Sequence, residues 1–133
     1  AIAERLAASD PTHVGWQRDL YVSLDKLGDL AVAQGDLAGA TRRFTECLAI
    51  AERLAARDPD NAVWQRDLSF SYYRIAYRIC MPKGQWDEAL PLMVRSLDIA
   101  EKLAMSDPTN VMWQQDARLS RQFVGEIRAK LGR

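Results

Sequence analysis

The chain repeats nearly the same segment three times, and this periodicity constrains its fold more than any other feature. The three copies are AIAERLAASDP at 1–11, AIAERLAARDP at 49–59 and DIAEKLAMSDP at 98–108. A tryptophan follows each copy, at Trp16, Trp64 and Trp113, so the period is 48 to 49 residues. Periods of this length are typical of stacked repeats, in which each unit buries its apolar face on its neighbours. The periodicity therefore favours a binding surface over an enzyme.

Each unit is predicted to form two antiparallel helices. Apolar residues recur every three or four positions over 16–34 and again over 37–56. Gly35 breaks the first pattern, and Asp58-Pro59 ends the second because the residue before a proline avoids the helical conformation. Corresponding helices are expected at 62–81, 86–106 and 111–130. We therefore predict an all-α fold, a right-handed α-solenoid of antiparallel helix hairpins with about five helices, including a short truncated first one.

The second unit carries one residue more than the first. Gly35 and Gly84 are 49 residues apart, whereas Trp16 and Trp64 are 48 apart. The extra residue is expected in the first helix of the second unit or in the turn that follows it.

We expect residues 1–133 to form one domain that is a piece of a longer array. Residues 1–9 match the end of a preceding repeat, and residues 110–131 match the first helix of a following one. Complete repeats are expected at 14–57 and 62–106. Ends without polar capping repeats expose apolar faces, so self-association through the two ends is an open alternative.

One segment of the first unit, LGDLAVAQGDLAGATRRF at 27–44, carries a family pattern. It places Leu27-Gly28 where paired helices approach closely, Gly35 at the turn and Phe44 on the inner face. This pattern resembles the tetratricopeptide repeat (TPR). The family period is about 34 residues, and the longer period here fits helices extended by IAERLAARDP and WQRDL. Long-period arrays with such elements are similar to segments of large bacterial multidomain proteins.

The repeated tryptophans are predicted to join consecutive units. Trp64 should be largely buried against Ile50 and Leu54, where two lengthened helix ends meet. The equivalent groups are Ile2 and Leu6 with Trp16, and Ile99 and Leu103 with Trp113. Burying an aromatic ring of this size stabilises a fold by about 3 kcal/mol.

Composition and motifs argue against several functional classes. The 18 basic and 18 acidic residues are spread along the chain, so we expect no nucleic-acid partner. No apolar run is long enough to cross a bilayer, and we expect no membrane partner. Nothing resembles a catalytic constellation, a metal-ligand cluster or a cofactor loop, so we predict no enzyme activity and no cofactor. His13 is interpreted as a loop residue, and Cys47 and Cys80 as thiols of a reducing, cytoplasmic compartment.

The resemblance implies a partner-binding groove on the concave wall, which the first helices of a TPR array line. It carries over to Val22, Asp25, Asp29, Phe70, Tyr73, Tyr77, Met81, Leu119, Gln122 and Glu126. Aromatic and methionine side chains suit apolar anchors, and the acids suit a basic flank. Alternatively, the rings pack against neighbouring helices, and Asp25 and Asp29 pair with Arg74 and Arg78 on the adjacent first helix.

Two functions from different classes remain open. The first is a non-catalytic protein–protein interaction module or scaffold, whose concave face binds a peptide or helix. The second is a structural spacer or self-assembly element within a larger multidomain protein. An exposed aromatic strip favours the first, and a strip covered by a neighbouring helix or chain favours the second.

Overall fold

The computed structural model describes residues 2–10 and 12–133, and within them the chain is helical with no strand. The helices are α1 (Ile2–Ser9), α2 (Val14–Ala33), α3 (Leu37–Arg57), α4 (Ala62–Arg74), α5 (Trp86–Ser106) and α6 (Val111–Lys130). The predicted all-α class is confirmed. The sequence predicted about five helices, including the short first one. The described residues hold six α-helices, because five helices follow α1.

Each helix packs mainly against its neighbours in the chain. The contacts run from α1 to α2, from α2 to α3 and so on to α6, as expected of a helical-repeat solenoid. The right-handed sense of the solenoid and its division into repeats stay predictions. Within a pair, Gly28 of α2 lies so close to Phe44 of α3 that an added Cβ would overlap the ring. The glycine predicted at the close approach is therefore required by the packing.

The extra residue of the second unit is absorbed in a π-helix. After α4, residues Ile75–Cys80 form this wider turn, and Met81–Lys83 follow as one 3₁₀ turn. A π-helical turn accommodates one additional residue without breaking the helix axis. The segment ends at Gly84, whose φ of 70° is the left-handed conformation that glycine adopts without strain.

Every junction between a second helix and the next first helix is built in the same way. The residue before each first helix accepts a hydrogen bond from a tryptophan backbone N–H and so caps that helix. The pairs are His13 with Trp16, Asn61 with Trp64 and Asn110 with Trp113, at 3.0 to 3.1 Å. The glutamine after each tryptophan donates to a carbonyl near the end of the preceding helix. These bonds join Gln17 to Ala7, Gln65 to Ala55 and Gln114 to Ala104, at 2.8 to 3.4 Å.

The tryptophans pack at these junctions, but less deeply than predicted. Trp64 is half-buried against the cluster that contains Ile50 and Leu54. Trp113 packs against three alanines, Ala100, Ala104 and Ala117. Ile99 and Leu103, its predicted partners, instead line a crevice with Pro59.

The first tryptophan has a different environment. Its ring stacks on His13, with the ring centroids 4.0 Å apart. Ile2 is 71% exposed and Leu6 is 37% exposed, so the predicted burial of these two side chains beside Trp16 is wrong. Among the described residues, α1 packs mainly on α2, and these two side chains lie outside that contact.

Candidate functional site

Four aromatic rings from α4, the π-helix and α6 form one cluster, called the aromatic cluster below. Its members are Phe70, Tyr73, Tyr77 and Phe123. Tyr73 and Tyr77 stack with centroids 5.4 Å apart, and Phe123 lies 5.8 Å from the first and 5.0 Å from the second. Phe70 meets Tyr73 edge-on at 6.5 Å. Three predicted site residues are therefore brought together.

Phe123 is the member that the sequence prediction missed. It lies four residues after Leu119, which was predicted, so the two share one side of α6. That spacing was the available signal. Tyr77 remains 39% exposed, whereas Tyr73 and Phe123 are half-buried. The cluster is thus partly packed between helices and partly open, combining the two alternatives left by the sequence.

A small cavity of about 20 Å³ lies beside the cluster, between Phe70, Tyr73 and Leu119. Its other lining residues include Ser69, Ser96 and Ser120. The Ser69 hydroxyl donates to the Ser96 carbonyl at 2.9 Å, and the hydroxyls of Ser96 and Ser120 are 3.5 Å apart. The volume is that of one water molecule. Leu119, 42% exposed, extends the apolar surface from α4 onto α6.

Gln122 and Glu126 lie on the exposed side of α6. The Gln122 amide donates to the Glu126 carboxylate at 3.1 Å, so one carboxylate oxygen of Glu126 remains for another donor. Both residues are exposed, and Phe123 lies between them in sequence. Glu126 lies three residues after Phe123, so it is a neighbour of that ring on the surface of α6.

Val22 and Met81 belong to the buried side of the molecule. Val22 packs against the core cluster of Tyr21, Leu24 and Ile50. Met81 packs against the core cluster that includes Met93 and Val124. Neither side chain is open to a partner in the way that Tyr77 and Leu119 are.

Asp25 and Asp29 are held by one arginine of the next first helix. The Arg74 guanidinium lies 3.2 Å from the Asp25 carboxylate and also pairs with Asp29. Burial raises the pKa of Asp25 above its usual value, and the charge of Arg74 only partly opposes this effect. Burial also lowers the pKa of Arg74, but the Asp29 hydrogen bond and the Asp25 charge outweigh it, so the net shift is upward. Of the two arginines considered from sequence, Arg74 is the one that forms the ion pairs.

Two further ion pairs repeat at the same position in consecutive units, and we call them the arginine–aspartate ladder. Arg18 binds Asp67 at 3.0 Å, and Arg66 binds Asp116 at 2.7 Å. Each arginine comes from the WQRD motif of one unit and each aspartate from the equivalent motif of the next. The sequence shows that the motif recurs, but it does not show that the arginine of one motif binds the aspartate of the next. A repeat indicates which positions are equivalent and not which side chains are in contact.

The described residues hold no group of three or more histidine, cysteine, aspartate or glutamate side chains able to bind a metal. Within the same residues, no helix is long and apolar enough to cross a membrane. Cys47 and Cys80 are free and buried, and burial raises the pKa of the Cys47 thiol to about 12. A thiol with a raised pKa is a poor nucleophile.

The comparison with known families agrees with the helix pairing. Residues 22–60, which run from α2 into the α3–α4 connection, match the family model described as tetratricopeptide repeat. This segment is therefore similar to a tetratricopeptide repeat. TPRs generally mediate protein–protein interaction and are typically non-catalytic. No curated protein matches the chain. The TPR match covers the first hairpin, and the aromatic cluster lies on the helices that follow it.

Proposed function

We propose that the chain is a non-catalytic protein–protein interaction module that binds a peptide or helix over the aromatic cluster. The observation that carries this proposal is the continuous apolar surface from Tyr77 to Leu119, which spans two first helices. These residues are 39% and 42% exposed, although each lies next to buried neighbours. Aromatic side chains in such semi-enclosed surroundings are common binding hot spots.

The partner would bring apolar anchors to the rings and a basic residue to α6. Arg74 already neutralises part of the charge of Asp25 and Asp29, so these acids are weak candidates for binding a basic flank. Glu126 is exposed, and its only side-chain hydrogen bond within the described residues is to the neutral Gln122. A lysine or arginine of the partner is therefore expected beside Glu126.

The proposal is tested by selecting peptides from a random library on the immobilised chain and measuring their dissociation constants. Tyr77→Ala should weaken binding by about 30-fold, the loss of about 2 kcal/mol that defines a hot spot. Raising the salt concentration should weaken the basic flank's contribution, because exposed charge pairs are screened over roughly 10 Å.

The matched control is Tyr72→Ala, which removes a tyrosine from α4, just before the π-helix that carries Tyr77. Tyr72 lies under Arg95 of α5, 5.8 Å from ring centroid to guanidinium carbon, and is not part of the aromatic cluster. This variant should keep the wild-type dissociation constant. Equal effects of the two substitutions, or no effect of either, would rule out the aromatic cluster as the binding site.

A structural spacer or self-assembly element is the second candidate. The observation that favours it is the arginine–aspartate ladder, which joins unit to unit. We also propose a reducing, cytoplasmic location, because both cysteines are free and buried.

A further inference from the structure

The three units reach the same glycine turn through first helices of different length. The turn after each first helix ends at a glycine with φ between 70° and 76°, and these glycines are Gly35, Gly84 and Gly132. The glycine follows the tryptophan of its unit by 19 residues in the first and third units and by 20 in the second. Helices α2 and α6 reach the turn as unbroken α-helices, whereas the second unit passes through the π-helix. The extra residue is therefore not needed to build the repeat.

The extra residue can be located by matching the buried positions of the first two units. Ala76 is the equivalent of Gly28, with an offset of 48, and Cys80 is the equivalent of Ala31, with an offset of 49. These four residues are all buried. Two residues lie between the buried pair of the first unit, and three lie between that of the second. The additional one therefore lies among residues 77–79, within the π-helix.

The side chains of this wider turn contact both flanking units. Tyr77 points forward and packs on Phe123 of α6, with ring centroids 5.0 Å apart. Ile79 points backward, is 4% exposed and packs in the cluster that contains Phe44 of the first unit. Arg78 lies between these two residues in sequence. The π-helix thus joins the second unit to the units on either side of it.

The residue between Tyr77 and Ile79 separates the directions of their side chains. Residues two apart on a helix point to nearly opposite sides, whereas consecutive residues of an α-helix point only about 100° apart. Without Arg78, the two side chains would be consecutive and could not keep both the forward and the backward contact. Tyr77 would be the one to move, because it is 39% exposed and has less buried surface to lose than Ile79.

We propose that the π-helix positions Tyr77 for partner binding, and that Arg78 acts through its presence in the chain and not through its side chain. The wider turn holds the ring of Tyr77 beside Phe123 in the aromatic cluster, while Ile79 keeps the second unit packed on the first. π-Helical turns are rare and occur frequently at functional sites. This role rests on the proposed function, because it concerns the same peptide or helix partner.

The test compares variants on the peptides selected against the wild-type chain. Deletion of Arg78 should weaken binding by about 30-fold, the same loss as Tyr77→Ala. In the deletion background, Tyr77→Ala should change the dissociation constant by no more than about twofold, because the ring is no longer in the site. A role confined to stability would leave the two effects independent, so that the losses of affinity multiply.

The matched control is Arg78→Ala, which removes the side chain and keeps the extra residue. It should bind like the wild type. A further variant combines the deletion with an alanine inserted after Lys83, which moves the extra residue from the helix into the turn. It should bind as weakly as the deletion. Circular dichroism should show both chains folded, since α2 and α6 reach their glycines without an extra residue.

Wild-type affinity in either chain that lacks Arg78 would overturn this role, while a weakened Tyr77→Ala would still support the proposed function. Weak binding by Arg78→Ala would also overturn it, because the guanidinium itself would then be required. So would unfolding of both deletion chains, which would show that the extra residue serves the fold and not the site. An unchanged dissociation constant in Tyr77→Ala would instead rule out the proposed function, and this role with it.

Discussion

At the scale of the residue, the most informative side chain is Asp25. Its carboxylate is paired with Arg74, yet burial raises its pKa above the ordinary value of 3.8. The ion pair therefore does not fully compensate the cost of removing this charge from water. Asp25 serves the contact between α2 and α4 more than it serves a partner.

The raised pKa of Asp25 determines how this carboxylate changes the stability of the fold with pH. A carboxylate with a raised pKa in the folded state stabilises the fold below pH 3.8, and this contribution is lost as pH rises through the higher folded pKa. Asp25→Asn removes that titration, so the variant should gain free energy of unfolding relative to wild type as pH rises from 3 to 7. Urea denaturation of both proteins at each pH measures the difference, in which the shared carboxylates largely cancel. A difference that is constant with pH, or that reverses, would contradict the assignment.

At the scale of the element, the arginine–aspartate ladder joins one first helix to the next. Arg66 also lies over the Phe70 ring, 4.5 Å from its centroid, so the ladder and the aromatic cluster share one side chain. Truncating Arg66 should therefore cost more than truncating Asp116, which has no such second contact within the described residues.

A double-mutant cycle separates the two contributions of Arg66. Arg66→Gln, Asp116→Asn and the double variant should give a coupling free energy of about 0.5–1 kcal/mol, as for partly exposed ion pairs. The free energies come from urea denaturation at low salt. Additive effects of the two substitutions would mean that the ladder does not stabilise the stack.

The sequence was sufficient for the helices and insufficient for the contacts between them. The positions of the helices could be predicted because the signals for them are local. These signals are the helix periodicity, the breaks at Gly35 and Pro59, and the extra residue before Gly84. The predictions of how deeply Trp64 is buried and of whether Ile2 is exposed were wrong. The burial of a side chain depends on which helix packs against it, and the sequence does not show this. Phe123 was missed for the same reason, since its ring on α6 contacts that of Tyr73 on α4.

At the scale of the whole molecule, the chain is a stack in which contacts join neighbours. Helices α1 and α2 have no substantial contact with α5 or α6. In such a stack, stability is a sum of unit and interface contributions, and one end can open without the other. This behaviour separates a repeat array from a globular domain with one shared core.

Native-state hydrogen exchange of Trp113→Ala tests this claim most directly. Trp113 joins α5 to α6 and is half-buried, so its truncation should cost about 2 kcal/mol, below the range for a fully buried tryptophan. We expect the amides of α6 to exchange about 30-fold faster, while those of α2 and α3 keep nearly their wild-type rates. A uniform acceleration along the whole chain would contradict the account, because it would show that the helices unfold as one cooperative core.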